Sequence, residues 1–117
     1  MMDTADIQEL VAQAQDIADD VLFPRALEAD AAGTVPEYQL QCIADGGFYG
    51  ISTYCDAATI AKVIEAFASG CLTTTFVYTQ HLGAAAAAHT SDGPVRIELA
   101  ADLAGGKKRG GVAFAQM

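Results

Sequence analysis

At 117 residues the chain is long enough to bury one hydrophobic core and too short for two domains. An apolar content of 52% excludes a disordered polymer. With 6 basic against 15 acidic residues the net charge is −9, which argues against a nucleic-acid partner, because phosphate neutralisation needs clustered Lys and Arg. The only basic cluster, Lys107-Lys108-Arg109, is too short to outweigh the surrounding acid and reads as a solvated turn.

Helical periodicity dominates from the start. Ile7, Leu10, Val11, Ala14, Ile17, Ala18, Val21 and Leu22 follow three-and-four spacing and share one face. Asp3 or Thr4 caps this helix, and Asp6 and Glu9 suit its positive end. Pro24 perturbs or ends it, since proline cannot donate to the ladder. Residues 26–31 continue as a further turn, closed by Gly33. Thr34-Val35-Pro36 opens a second helix, with Pro36 in the first turn and Leu40, Ile43 and Ala44 on its inner face. Gly46-Gly47 ends it, and Phe48 to Tyr54 reads as a short apolar connector. Asp56 caps a third helix with Ile60, Val63, Ile64 and Phe67 at core spacing.

Beyond Gly70 a fourth helix is expected from Leu72 to His89. Its Thr73-Thr74-Thr75 run is poor helix material, so the expectation leans on burial and on residues 84–88, all alanine. Ser91-Asp92-Gly93-Pro94 is a turn, followed by a short helix through Val95, Leu99 and Leu103 that ends at Gly105-Gly106. Residues 111–117 change character, and Val112, Ala113 and Phe114 read as the opening of a buried strand. A strand needs partners, and none is legible in these residues, so the chain is expected to stop partway into a second structural unit.

Other chemistry is thin. Cys42, Cys55 and Cys71 have no C-x-x-C spacing and read as buried free thiols of a cytosolic protein. His81 and His89, eight residues apart, make neither a zinc site nor a triad, and no metal is expected. Gly105-Gly106-Lys107 lacks the earlier glycines and the strand of a phosphate loop. Residues 66–91 contain no Lys, Arg, Asp or Glu, a length that could span a bilayer. Ser69, three threonines, Thr79, Gln80 and two histidines lie inside, however, and a helix buried in a soluble core fits better. The acidic, amphipathic first twenty residues do not resemble a signal peptide.

The order of segments resembles the N-terminal helical domain of the FAD-dependent acyl-CoA dehydrogenases. Val21-Leu22-Phe23-Pro24-Arg25-Ala26, with Glu28 and Asp30, is similar to the family's first helix running into Pro and an acidic residue. Gly33-Thr34-Val35-Pro36 resembles its Gly-x-x-Pro lead-in to the second helix, and Gly47-Phe48-Tyr49-Gly50-Ile51 the Gly-hydrophobic-x-Gly-hydrophobic element after it. Glu65-Ala66-Phe67-Ala68 is similar to the Glu-x-hydrophobic-Ala of the next helix, and residues 99–106 to a Leu-Pro-x-Leu-Ala-x-Gly turn. Gly111-Val112-Ala113-Phe114-Ala115 resembles the first strand of the flavin-binding β domain. Each element is short; their collinear order across nearly the whole chain carries the resemblance.

The resemblance implies an all-α helical-bundle domain over residues 1–110 and the first strand of an otherwise missing β domain over 111–117. It implies FAD as cofactor, with main-chain groups of Phe114, Gln116 and Met117 meeting the isoalloxazine ring. Thr75, Tyr78, Gln80 and His81 would lie on the helix beside the acyl-binding cavity for an acyl-CoA substrate. It implies a homo-oligomer or a dehydrogenase partner subunit. Ser52-Thr53-Tyr54-Cys55-Asp56 departs from the family, which carries a Pro and a Gly-Gly pair there, and the flavin-holding Thr-Glu and Gly-Ser-Asp would fall at or after Met117. The catalytic Glu belongs to the family's C-terminal region, so the chain alone is expected to be inactive. The alternatives are a non-catalytic helical subunit of a full-length dehydrogenase and a free-standing helical module that binds acyl thioesters.

Overall fold

The computed structural model describes residues 2–111 and 113. These residues form six α-helices and no strand. α1 (Thr4–Ile17) opens on Asp3, whose Oδ1 accepts the Asp6 N–H at 2.9 Å while Asp6 Oδ2 accepts the Asp3 N–H at 3.3 Å. This reciprocal cap satisfies two otherwise orphaned amides.

Pro24 does more than end the helix. α1 widens into a π-helical turn at Ala18–Leu22, where the Phe23 N–H reaches back to the Ala18 carbonyl, then tightens into a 3-10 turn at Phe23–Arg25. The ring at Pro24 removes one ladder bond and crowds the carbonyl four residues earlier, and this detour absorbs both. The chain resumes as α2 (Ala26–Ala31). The widened turn also receives α4: a Cβ on Gly70 would stand 2.7 Å from the Ala18 carbonyl oxygen, an approach only glycine permits.

α3 (Glu37–Asp45) starts one residue later than expected, with Pro36 in the capping position and not in the first turn. It ends at Gly47, whose φ of 84° lies in the left-handed region. The segment read from sequence as a connector is a 3-10 helix, Phe48–Thr53, with Phe48, Tyr49 and Ile51 fully buried. α4 (Ala57–Gly70) is capped by Asp56 as expected, its Oδ1 accepting the Thr59 N–H at 2.8 Å. α5 (Leu72–Thr90) is the longest helix, and α6 (Arg96–Ala104) packs back on it.

The core forms where α1, α4 and α5 meet the 3-10 turn. Phe67 stands at its centre: its ring lies edge-on to Phe48 at 5.0 Å and to Tyr78 at 5.3 Å between centroids. Both are edge-to-face geometries that aromatic quadrupoles favour. No helix of the described residues is long and apolar enough to cross a membrane. The strand expected over 111–117 has no counterpart at Gly111 or Ala113, which carry no regular structure, and its other residues lie outside the described ones.

Candidate functional site

α5 holds all four residues that the resemblance assigns to the acyl pocket, and the helix divides them. Residues two apart do not share a face. Thr75, Tyr78 and His81, three apart, point into the core and are fully buried; Gln80 lies on the other side, half-buried.

Each buried member is already engaged. Thr75 Oγ1 donates to the Cys71 carbonyl at 2.7 Å, which lets a threonine sit inside a helix without an orphaned hydroxyl. The Tyr78 hydroxyl donates to the Phe48 carbonyl at 2.7 Å, tying α5 to the 3-10 turn. Burial pushes its phenol far above the usual range, so it remains a neutral donor. His81 is held from both sides. Its Nε2 lies 3.1 Å from the Tyr49 carbonyl, and its Nδ1 accepts the Gly110 N–H at 3.2 Å. Those two partners together require the neutral Nε2–H tautomer. The Tyr49 ring lies over the imidazole at 4.1 Å. Burial, helped by the Arg109 charge, holds the His81 imidazole below its usual value, against the Tyr49 and Leu103 backbone groups, which favour the charged ring.

The segment carrying Gly110 departs from the sequence expectation. Arg109 is exposed as a residue, as expected, but its side chain is anchored. Its side chain is two-thirds buried, its Nε donates to the Tyr49 hydroxyl at 2.9 Å, and its two terminal nitrogens grip the Glu37 carboxylate at 3.2 and 2.7 Å. Hydrogen bonding and charge from Arg109 hold Glu37 below its usual value. Lys108 pairs with Asp102 at 3.2 Å. Glu37 and Arg109 are 72 residues apart, so spacing along the chain gave no signal of the pair.

A second buried polar set, also unseen in the sequence, joins three elements. Thr74 Oγ1 donates to Gln39 Oε1, Gln39 Nε2 donates to the Arg25 carbonyl at 3.4 Å, and Cys71 Sγ accepts the Thr74 N–H at 3.5 Å. Here a thiol serves as the cap of α5. Cys71 is buried, as expected, while Cys42 and Cys55 are only half-buried.

The outer face of α5 has no such partners. Leu72 is 71% and Phe76 65% exposed, and Gly83 and Ala87 continue the face at helical spacing with Gln80 beside them. No Lys, Arg, Asp or Glu occurs anywhere in this helix. α6 likewise buries only Leu103 and leaves Val95, Ile97 and Leu99 exposed around its start and middle.

Clefts open elsewhere. One of about 420 Å³ lies between the start of α1 and the turn before α4, lined by Met2, Ile7, Ser52, Tyr54, Cys55 and Thr59. Ser52 Oγ is buried there without a hydrogen-bond partner. Burial, then the Asp56 charge, pushes the Cys55 thiol up, which makes it a poor nucleophile. A second, of about 520 Å³, runs between α5, α6 and residues 108–110 and is lined by Ala84, Ala87, Ala88, Leu99 and Leu103. Among the described residues no three His, Cys, Asp or Glu side chains converge on a point. Phe114, Gln116 and Met117, the residues the resemblance assigns to flavin, lie outside the described ones. Comparison with protein-family models, with curated proteins and with solved structures finds no match to this chain.

Proposed function

We propose that the chain is the N-terminal helical portion of an FAD-dependent acyl-CoA dehydrogenase, which desaturates acyl-CoA thioesters between the α and β carbons. The observation that carries the reading is α5: a 19-residue helix without Lys, Arg, Asp or Glu, one face sealed in the core and the other open to solvent. A surface helix ordinarily turns charged residues outward. One that keeps Leu72 and Phe76 there is suited to lie between this bundle and further protein. The collinear motifs of the sequence supply the identity of that further protein.

The reaction needs a carboxylate base at the α carbon, and a bound flavin would accept the β hydride. No described carboxylate stands in a buried position that would tune it as a base, and the polar atoms of Thr75, Tyr78 and His81 are engaged with backbone groups. These side chains do not fit a flavin by themselves. Their role in the reading is to hold α5 rigid, while Gln80 and the outer face meet the substrate-bearing remainder. The chain alone would then turn over no acyl-CoA. The same exposed face also suits a non-catalytic subunit seated on a full-length dehydrogenase.

The coding DNA beyond codon 117, read in all three frames, tests the proposal. A continuation bearing Thr-Glu and Gly-Ser-Asp, with helical sequence and a Glu base later, is the expected result. Downstream DNA without these in any frame overturns the single-protein reading; the subunit reading then requires a flavin-containing dehydrogenase that co-purifies with the chain.

A further inference from the structure

Residues 108–110 lie beside α5, and two points hold them. Arg109 is fixed to Tyr49 and Glu37, and one residue later the Gly110 N–H meets His81 Nδ1 at 3.2 Å. Gly110 is pressed against the helix so closely that a Cβ there would stand 2.3 Å from the Ala84 methyl carbon. Nδ1 can accept that bond only while it carries no proton. We infer that His81 and Gly110 form a proton-operated latch: protonation of Nδ1 sets two N–H groups against each other and lifts Gly110 off Ala84.

The groups around His81 favour that response. From the 3-10 turn, the Tyr49 carbonyl holds Nε2 and the Tyr49 ring covers one face. From residues 108–110 comes the Arg109 guanidinium, whose charge opposes a second positive charge nearby. From α6 the Leu103 backbone acts on the ring and, like the Tyr49 carbonyl, favours its charged form; Asp102 on α6 is paired with Lys108 and Glu37 on α3 with Arg109. The buried residues of α4 include no titratable group. The Tyr49 and Leu103 backbone groups are thus opposed by burial, which is the larger effect, and by Arg109. The Arg109–Glu37 pair persists as the latch opens, because Glu37 is held below the ordinary carboxylate range. It acts as a tether, and the motion is that of Gly110 beside it.

The sign of the linkage comes from His81 being neutral when folded. Its imidazole titrates below the usual 6.5, so the closed form binds fewer protons than the open or unfolded one. The stabilisation is complete above the ordinary histidine value and is lost as pH falls through it toward the lower folded value. The device belongs to the helical fold and does not depend on the dehydrogenase reading. Its place matters if that reading holds, because Gly110 is where the chain would leave for the next domain.

Nitrogen-resolved NMR of the full chain tests the latch between about pH 8 and about pH 5. His81 Nδ1 is expected unprotonated at neutral pH, and the Gly110 amide is expected to shift with the same midpoint as the His81 ring. Gly110 hydrogen exchange, corrected for intrinsic rate, should rise about tenfold for each pH unit between the ordinary histidine value and that midpoint, and level off below it. In Gly110→Ala the added methyl meets Ala84, dislodges the segment and leaves the core alone, so the His81 midpoint should move up toward the ordinary value. A Gly110 amide that ignores the His81 titration, or a His81 midpoint unmoved by Gly110→Ala, overturns the inference.

Discussion

Along the inner face of α5, Thr75, Tyr78 and His81 are buried, and each finds a backbone partner within 3.2 Å. Along the outer face of the same helix, Leu72, Phe76, Gly83 and Ala87 have no cover. The stretch has none of these four charged residue types on either face, so composition cannot separate the two. Their surroundings do: the 3-10 turn Phe48–Thr53, α4, α6 and Gly110 pack on α5, and nothing described covers Leu72 and Phe76. A helix that carries no Lys, Arg, Asp or Glu on any side, and keeps Leu72 and Phe76 uncovered, has more to bury than this bundle offers.

That contrast can be broken from the inside. Phe67→Ala removes the ring against which Phe48 and Tyr78 both pack, and should cost about 3–5 kcal/mol in denaturant unfolding. Gly70→Ala would help a helix by propensity alone, yet the new methyl meets backbone atoms of Ala18, which cannot swing aside. Overpacking should win, with a loss of about 1–3 kcal/mol read from the same curves. Arg109→Ala removes an ion pair whose Glu37 partner is largely exposed, and should change stability by no more than about 1 kcal/mol. A larger loss there would mean that residues 108–110 belong to the core and are not a strap laid over it.

The fold was legible wherever a local rule decided it. Asp3 and Asp56 cap the helices they were expected to cap, Gly47 takes the left-handed conformation, and the periodicity of Ile7 to Leu22 places Ala14, Ala18 and Leu22 in the core. The features that escaped depend on partners distant in sequence. Phe48–Thr53 looked like a connector because its buried side chains are too few to show a period; their importance comes from Phe67 and Tyr78, far along the chain. Arg109 looked solvated because its neighbours are Lys107 and Lys108, whereas its position is set by Tyr49 and Glu37. Of the pocket residues taken from the resemblance, Tyr78 and His81 proved to be core ties and Gln80 outward-facing, a division that the helical period alone would have allowed.

The outward face itself is best tested by size-exclusion chromatography with light scattering, comparing the chain with its Leu72→Gln, Phe76→Gln double variant over a range of concentrations. Both substitutions lie at exposed positions, so the melting temperature should stay nearly unchanged. The parent chain is expected to self-associate as concentration rises, and the double variant to stay monomeric. A parent chain that remains a monomer throughout, indistinguishable from the variant, would contradict this reading of α5, because a face built to be covered should seek cover in a second copy when nothing else is present.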